Sequence, residues 1–166
     1  MLIRDETGAD HGDIRVLNRV AFGGDYEAGL VDRLRTEELV RVSLVAVEAG
    51  EIVGHILFSA LSVTMDGGSV RAAALAPMAV APGRQRQGIG SALVRAGLDA
   101  VTAHRFEAVF VLGHPAYYPR FGFSAAAARK LASPYAGDAF MALELIPGAL
   151  RGTAGSVTYP DAFDPD

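Results

Sequence analysis

The residues best suited to chemistry in this sequence form a basic loop spaced by glycines, Gln85-Arg86-Gln87-Gly88-Ile89-Gly90. An apolar run precedes the loop, and an amphipathic helix pattern follows it. A helix N-terminus carries about half a positive charge and several unpaired N–H groups, and glycines let the backbone approach a ligand closely. No Asp or Glu lies between Asp66 and Asp99, whereas four arginines do. The pattern predicts an anion site that suits a phosphate or pyrophosphate.

Pro77 interrupts the apolar run upstream of the loop, in which Leu75, Met78 and Val80 favour a central strand. Proline cannot donate to a strand ladder and is normally confined to edges and bulges. Two interpretations are open. In one, regular pairing fails at Pro77, and backbone groups such as those of Met78 and Val80 bind an extended ligand that leads to the loop. In the other, the strand lies at an edge and tolerates the proline.

The elements that position the loop are those of one mixed α/β domain. Strands at 42–47, 52–63 and 70–80, with turns at 48–51 and 66–68, predict an antiparallel meander. A helix at 88–104 then makes the strand at 108–112 parallel to the one at 70–80. The other expected elements are a strand at 2–6, helices at 10–22 (capped by Thr7 or Asp10) and 26–38, a short helix at 115–120, a strand from Phe123 and a last strand at 140–145.

Length and composition narrow the class of protein. With 166 residues, the chain is expected to form one domain over residues 1–150, with residues 151–166 as an extension that trails or packs outside it. No apolar run approaches the ~20 residues of a membrane span, and the start of the chain has no secretory pattern. The absence of cysteine excludes thiolate chemistry and fits a cytoplasmic location. A net charge of −4 argues against nucleic-acid binding.

Three segments of the chain carry recognisable motifs. They are Leu75-Ala76-Pro77-Met78-Ala79-Val80 with Gln85-x-x-Gly88-x-Gly90, the segment Tyr118-Pro119-Arg120-Phe121-Gly122-Phe123, and Ala139–Leu145. In this order they resemble the coenzyme A signature, the Tyr-x-x-x-Gly-Phe segment and the last core strand of the GNAT superfamily of N-acetyltransferases, especially of its small bacterial YhbS-like group. The resemblance covers nearly the whole chain. It implies a mixed, mostly antiparallel sheet with helices on both faces and a splayed central strand pair.

Two other phosphate-binding motifs fit the loop poorly. A dinucleotide-binding fingerprint needs a third glycine or alanine where this chain has Leu93, and it needs an acidic residue about 20 positions later, for which there is no clear candidate. A Walker loop needs Gly-Lys followed by Ser or Thr, which is absent from the sequence. Both motifs are therefore disfavoured.

The resemblance implies an acetyl-coenzyme A site built largely from backbone groups. The N–H groups of Met78 and Val80, with Ala79 between them, would face the pantetheine and thioester. Gln85 and the N–H groups of Arg86, Gln87, Gly88, Ile89, Gly90 and Ser91 would hold the pyrophosphate. Arg84 or Arg86 would add charge, and a solvated surface role is the equal alternative for either. The side chains of Ile89 and Leu93 are expected to face the core.

The resemblance assigns a candidate catalytic tyrosine, and residue type and position suggest candidates for the general base and the acceptor site. Tyr118 matches the tyrosine proposed as general acid in the family, with Tyr117 as its competitor. His114 is a candidate general base, although a structural role is more common for a lone histidine. Asp25 and Glu27 are candidates for attracting the cationic acceptor, as is Glu48, and a charged helix surface explains the first two equally well.

The function implied is direct transfer of an acetyl group from acetyl-coenzyme A to a primary amine of a small molecule or peptide, through a tetrahedral intermediate. A non-catalytic acyl-coenzyme A sensor is the alternative. No metal, nucleic-acid or membrane partner is expected, and the resemblance allows a homodimer. The sequence leaves the acceptor amine open.

Overall fold

The computed structural model describes residues 1–164 of the chain. Its strands are β1 (Leu2–Asp5), β2 (Val40–Glu48), β3 (Glu51–Met65), β4 (Gly68–Val80), β5 (Ala108–Leu112), β6 (Leu131–Ala132), β7 (Phe140–Glu144) and β8 (Gly155–Thr158). Its α-helices are α1 (His11–Phe22), α2 (Tyr26–Thr36), α3 (Ile89–Ala103) and α4 (Ala125–Ala128). Short 3₁₀ turns lie at Gly8–Asp10, Pro82–Arg84, Tyr118–Phe121 and Asp161–Phe163.

The strands form one mixed sheet in the order β1-β2-β3-β4-β5-β7, with β8 paired to β3 and β6 paired to β8. The β1–β2, β2–β3, β5–β7 and β3–β8 pairs are antiparallel. β4 and β5 are parallel, as the intervening α3 requires. The predicted mixed α/β class, the meander and the βαβ step are therefore confirmed.

The ladder between β4 and β5 covers only part of β4. It runs from Ala72 opposite Ala108 to Leu75 opposite Val111, and Pro77 follows immediately. β4 has neighbours on both sides in the sheet, so the interpretation of this strand as an edge strand is wrong. Because proline has no N–H to donate, the end of parallel pairing just before it has a direct chemical cause. The splay of the central strands that the resemblance implies stays a prediction.

The chain divides into two compact units, Met1–Ser59 with Ala76–Ala100, and Ala60–Leu75 with the residues from Val101 onward. In the first unit, helices cover both faces of β3. His55 contacts Asn18 of α1, whereas the neighbouring Gly54 lies against Leu93 of α3. Successive side chains of a strand point to opposite faces, so α1 and α3 lie on opposite sides of the sheet.

Local signals set the ends of the first two helices. Asp10 is the N-cap of α1, and Thr7 caps the 3₁₀ turn before it. The two side-chain hydrogen bonds from Arg4, together with the Thr7 N–H, lower the pKa of Asp10 to about 2. Gly23 ends α1 with φ of 72°, and its N–H donates to the Arg19 carbonyl. The start and end expected for this helix are thus confirmed.

In the second unit, two expectations are corrected. The strand predicted from Phe123 is wrong, because Ser124 makes only an isolated bridge to Ala142 and its hydroxyl then caps α4. Four successive alanines favour helix over strand. The short helix predicted at 115–120 is a 3₁₀ turn shifted to Tyr118–Phe121. Within the predicted extension 151–166, β8 adds a strand beside β3, and residues 165–166 lie outside the described residues.

The two hairpins of the meander have the backbone geometry of tight two-residue turns. Asp66 and Gly67 have φ of 48° and 82°, and Ala49 and Gly50 have φ of 51° and 79°. Asp-Gly suits this geometry, whereas alanine pays a steric penalty for a left-handed conformation. We expect Ala49→Asn to raise the free energy of unfolding by about 1 kcal/mol, measured by urea denaturation. Ala49→Val should lower it, and an unchanged midpoint for both variants would contradict this account.

No helix within residues 1–164 is long and apolar enough to cross a membrane.

Candidate functional site

The loop between β4 and α3 has the backbone shape of an anion-binding turn. After the 3₁₀ turn at Pro82–Arg84, Arg86 and Gly88 both have positive φ, 63° and 86°, and α3 begins at Ile89. Left-handed residues in such a turn can direct backbone N–H groups toward a bound anion. The first turn of the 15-residue helix α3 adds backbone N–H groups at the positive end of the helix dipole. The predicted loop and helix start are confirmed as structural elements.

Side chains tie this loop to the strands around it. Arg84 Nη2 donates to Glu48 Oε2 at the end of β2, and Arg84 Nε donates to Gln87 Oε1 at 3.2 Å. Gln85 Nε2 donates to the Val80 carbonyl at 3.2 Å. Of the two arginines considered for charge, Arg84 is therefore paired with a carboxylate, whereas Arg86 is exposed. Glu48 is engaged with the loop, which the sequence did not indicate.

Glycine at position 54 lets α3 lie close to β3. A Cβ at Gly54 would come within 2.8 Å of Leu93 Cδ1 and 3.0 Å of Ile89 Cγ2. Ile89 and Leu93 are buried, as predicted for core-facing side chains. Ile89 can therefore contribute only its backbone N–H to a ligand. Gly90 and Ser91 follow it in the first turn and are half-buried.

The strand residues assigned to the coenzyme lie at the end of β4, beyond its ladder with β5. Ala79 is buried, while Met78 and Val80 are half-buried. The Val80 carbonyl accepts the Gln85 side chain, which fixes the step from strand to loop.

Tyr118 is held by an aromatic cluster in the second unit. Its ring makes edge contacts with Tyr117 and Phe123, at centroid distances of 5.1 and 5.7 Å. A Cβ at Gly113 would lie 2.4 Å from Tyr118 Cε2, so the ring rests directly on the Gly113 backbone. Only 7% of Tyr118 is exposed. Burial, with a smaller contribution from Tyr117, raises the pKa of Tyr118 to about 12.

His114 lies one turn before Tyr118 and is exposed. Its carbonyl accepts the N–H groups of Tyr117 at 3.0 Å and Tyr118 at 3.3 Å. The backbone of His114 therefore starts the turn that presents Tyr118. Its assignment as a general base stays a prediction.

The acceptor candidates Asp25 and Glu27 lie at the start of α2. Asp25 is the N-cap residue of α2 and forms an exposed ion pair with Arg19, with Arg19 Nε 2.8 Å from Asp25 Oδ1. Glu27 is half-buried in the first helical turn. An open groove of about 500 Å³ lies beside them, lined by Val16, Arg19, Val20, Gly23, Gly24 and Asp25. The groove is therefore lined by apolar side chains and by the Arg19–Asp25 ion pair.

A partly buried polar network, which no sequence motif indicates, lies on the α1 face of the sheet. Arg35 donates to both oxygens of Glu6, at 2.9 and 3.1 Å, and the Ser43 hydroxyl donates to Glu6 Oε1. Ser43 Oγ lies 2.9 Å from His55 Nε2, and Asn18 Nδ2 lies 3.4 Å from His55 Nδ1. Polar residues on separate strands and helices have no sequence spacing that links them, so no motif points to this network.

The loop fits the pyrophosphate of a coenzyme. Gly88, at φ of 86°, takes a conformation that side chains rarely adopt, and no atom lies within 4 Å of where its Cβ would be. The donors are backbone N–H groups, and the 67–98 stretch around them contains no carboxylate. Among residues 1–164, no group of three or more His, Asp or Glu side chains is placed to hold a metal ion.

Together, a mixed sheet that loses its parallel pairing at a proline and a glycine loop that opens a helix define an acetyltransferase architecture. The chain belongs to the GNAT family: the family model described as an acetyltransferase (GNAT) domain matches residues 3–126. A relative from Escherichia coli K12, named as the uncharacterized N-acetyltransferase YhbS, is 37% identical over 167 residues and is matched over 99% of each chain.

Two solved structures are similar over nearly the whole chain. The E. coli YhbS structure in complex with coenzyme A has a TM-score of 0.90 and 36% identity, covering 98% of this chain and 91% of that one. A GNAT acetyltransferase from Brucella melitensis in complex with acetyl-coenzyme A has a TM-score of 0.81 and 34% identity, covering 98% and 97%. The fold and the family expected from the sequence are confirmed.

Proposed function

We propose that the protein transfers an acetyl group from acetyl-coenzyme A to a primary amine of a small molecule or peptide. The observation that carries the proposal is the loop at residues 85–91, whose positive-φ residues and helix start suit a pyrophosphate. Similar proteins bound to coenzyme A and to acetyl-coenzyme A support the identity of that ligand. When bound, acetyl-coenzyme A supplies an activated acetyl thioester.

The chain's own residues would then act by binding and hydrogen bonding. The N–H groups of residues 86–91 would hold the pyrophosphate, with Arg86 as the exposed cation beside them. Met78 and Val80 would offer backbone groups to the pantetheine and to the thioester oxygen, whose developing charge such donors stabilise. Tyr118 would donate a hydrogen bond to the departing thiolate.

The acceptor must lose a proton before it attacks, because a lysine-like ammonium has a pKa of about 10.4. His114 is the candidate base by its place before Tyr118, and its imidazole suits neutral pH. Asp25 and Glu27 would attract a cationic amine toward the groove beside α1. The apolar Val16 and Val20 in that groove favour an amine carried on an aliphatic or aromatic body.

Binding and turnover test the proposal separately. Acetyl-coenzyme A should raise the melting temperature, because a ligand that binds only the folded state stabilises it by mass action. A panel of primary amines should then release free thiol, measured with a thiol reagent. Binding without turnover on any amine would indicate the sensor instead, and no binding of any acyl-coenzyme A would overturn both readings.

Gly88→Ala should weaken binding of coenzyme A about tenfold, measured by calorimetry. A side chain at φ of 86° costs roughly 1–2 kcal/mol, and the loop would relax away from the shape that binds the pyrophosphate. Gly83→Ala is the matched control, since Gly83 lies in the same loop without a positive φ and with open space where its Cβ would be. Equal affinities of the two variants for coenzyme A would show that the conformation of Gly88 does not matter for binding, which would contradict the proposed role of the loop.

A further inference from the structure

One ion pair ties the coenzyme loop, defined here as residues 82–88, to the end of β2. Arg84 spans the gap: its Nη2 donates to Glu48 Oε2, and its Nε donates to Gln87 Oε1 at 3.2 Å. The guanidinium thus joins the β2–β3 hairpin on one side to a residue next to Gly88 on the other. Its positive charge is paired with the Glu48 carboxylate.

The position of Glu48 gives a reason for this pairing. In the β2–β3 register Glu48 lies directly opposite Glu51, and like charges across a ladder repel. The Glu48 and Arg84 side chains are 38% and 34% exposed, so the pair is partly shielded from water. Arg84 therefore offsets a repulsion built into the hairpin, and Glu48 in turn fixes where the Arg84 side chain lies.

We propose that Glu48 is a positioning residue for coenzyme binding, acting through Arg84 to hold the loop backbone in its binding shape. The inference rests on the proposed function, since it concerns the same loop. The proposal gives the two arginines of the loop different roles. Arg84 shapes the loop, whereas Arg86, exposed and at φ of 63°, supplies the positive charge for the anion.

A different role for Arg84 makes the opposite prediction. If Arg84 contacted a coenzyme phosphate directly, Glu48 would compete with that phosphate, and Glu48→Gln would leave affinity unchanged or make it tighter. If Glu48 positions the loop, Glu48→Gln removes the negative charge that holds Arg84 in place and weakens binding. The sign of one change in affinity therefore separates the two roles.

The experiment measures the Kd for coenzyme A by calorimetry, together with kcat and KM for acetyl-coenzyme A. Glu48→Gln should raise Kd and KM about three- to tenfold and leave kcat within about twofold. The charge-reversed double variant Glu48→Arg/Arg84→Glu should recover most of the affinity, because the Gln87 amide can turn to donate to a carboxylate at position 84. Direct phosphate contact predicts the weakest binding for that double variant.

Glu51→Gln is the control, since it removes the same charge from the same hairpin but not from the ion pair. It should keep the wild-type Kd. Equal affinity of the wild type and Glu48→Gln, or no recovery in the double variant, would overturn the positioning role while leaving the proposed function intact. Absence of coenzyme binding by the wild type would instead refute the proposed function, and the positioning role would fall with it. A melting curve for each variant reports whether it folds.

Discussion

Replacing Tyr118 by phenylalanine is expected to lower kcat for acetyl transfer by about 10- to 100-fold while leaving KM for acetyl-coenzyme A within about threefold. The hydroxyl would contribute a hydrogen bond to a developing thiolate, and hydrogen bonds to charged groups are worth about 1.5–3 kcal/mol. Phenylalanine keeps the ring and its contacts with Tyr117 and Phe123, so folding should be preserved. Thiol release at saturating amine measures the effect.

The expected loss is set by hydrogen bonding rather than by full proton transfer. Burial raises the pKa of Tyr118 to about 12, while a free thiol has a pKa of about 8.5. Complete transfer of the proton would therefore be uphill by roughly 5 kcal/mol. A neutral phenol that stays protonated can still stabilise the thiolate as charge builds on sulfur. With this raised pKa, the Tyr118 hydroxyl is suited to donate a hydrogen bond to the thiolate rather than to transfer its proton.

The same pKa predicts the alkaline side of the pH profile. Because Tyr118 stays protonated up to about pH 12, its ionisation should not lower kcat between pH 8 and 10. Deprotonation of the acceptor amine should make the rate rise across that range. A fall in wild-type kcat near pH 9, absent from Tyr118→Phe, would contradict a buried phenol of raised pKa.

Two variants test whether the position of the Tyr118 ring matters. Tyr117→Phe is the matched control, because Tyr117 lies beside Tyr118 and is only half-buried; it should keep nearly the wild-type kcat. Gly113→Ala should reduce kcat as strongly as Tyr118→Phe, since its Cβ would lie 2.4 Å from the Tyr118 ring and would displace it. Equal losses for Tyr117→Phe and Tyr118→Phe would mean that the competitor tyrosine shares the role.

Short-range signals in the sequence account for the parts of the fold that were predicted. Apolar alternation and hairpin turns locate β2, β3 and β4, and Gly23 ends α1 through a left-handed cap. The resemblance adds the family through three segments spread along the chain, whereas the loop at residues 85–90 depends on residues close together. Turns, helix ends and short loops can be predicted because a few neighbouring residues determine their geometry.

Features that depend on distant residues were not predicted. The ion pair of Glu48 with Arg84 joins two segments 36 residues apart, and the contact between Asn18 and His55 joins residues 37 apart. The strand expected from Phe123 failed for the opposite reason, because the alanine run from Ala125 prefers helix when the ladder with β7 is limited to Ser124. Tertiary context decides the first two cases, and a local backbone preference decides the third.

Acidification is expected to destabilise the protein in two steps, and the network around Glu6 is the cause. Burial alone would raise the pKa of Glu6, but hydrogen bonds and charge from His55, Arg35 and Ser43 bring it well below its usual value of 4.5. Burial lowers the pKa of His55 below 6.5, against the opposing influence of Glu6. Asn18 Nδ2 donates to His55 Nδ1, so the neutral ring carries its proton on Nε2 and donates it to Ser43.

Both shifts act in the same direction. A group with a folded-state pKa below its unfolded value binds fewer protons in the folded state, so stability is lost as pH falls. His55 contributes below pH 6.5 and Glu6 below pH 4.5, each with a slope of up to about 1.4 kcal/mol per pH unit. Urea denaturation between pH 8 and pH 4 should therefore show a plateau above pH 7 and a fall that steepens below pH 4.5.

Variants of Glu6 and His55 test which residue causes each step of the loss of stability in acid. Glu6→Gln should lower the free energy of unfolding by about 1–3 kcal/mol at pH 7, because Arg35 then keeps only Asp32, at 3.6 Å, as a carboxylate partner. The same variant should reduce the steeper fall below pH 4.5. His55→Gln should remove the fall that begins near pH 6.5. Arg15→Gln is the control, because it breaks an exposed ion pair, between Arg15 of α1 and Asp32 of α2. Its free energy of unfolding should depend on pH as that of the wild type does. If the free energy of unfolding of Glu6→Gln changed with pH in the same way as that of the wild type, Glu6 would not cause the acid-induced loss. The cause would then lie outside this network.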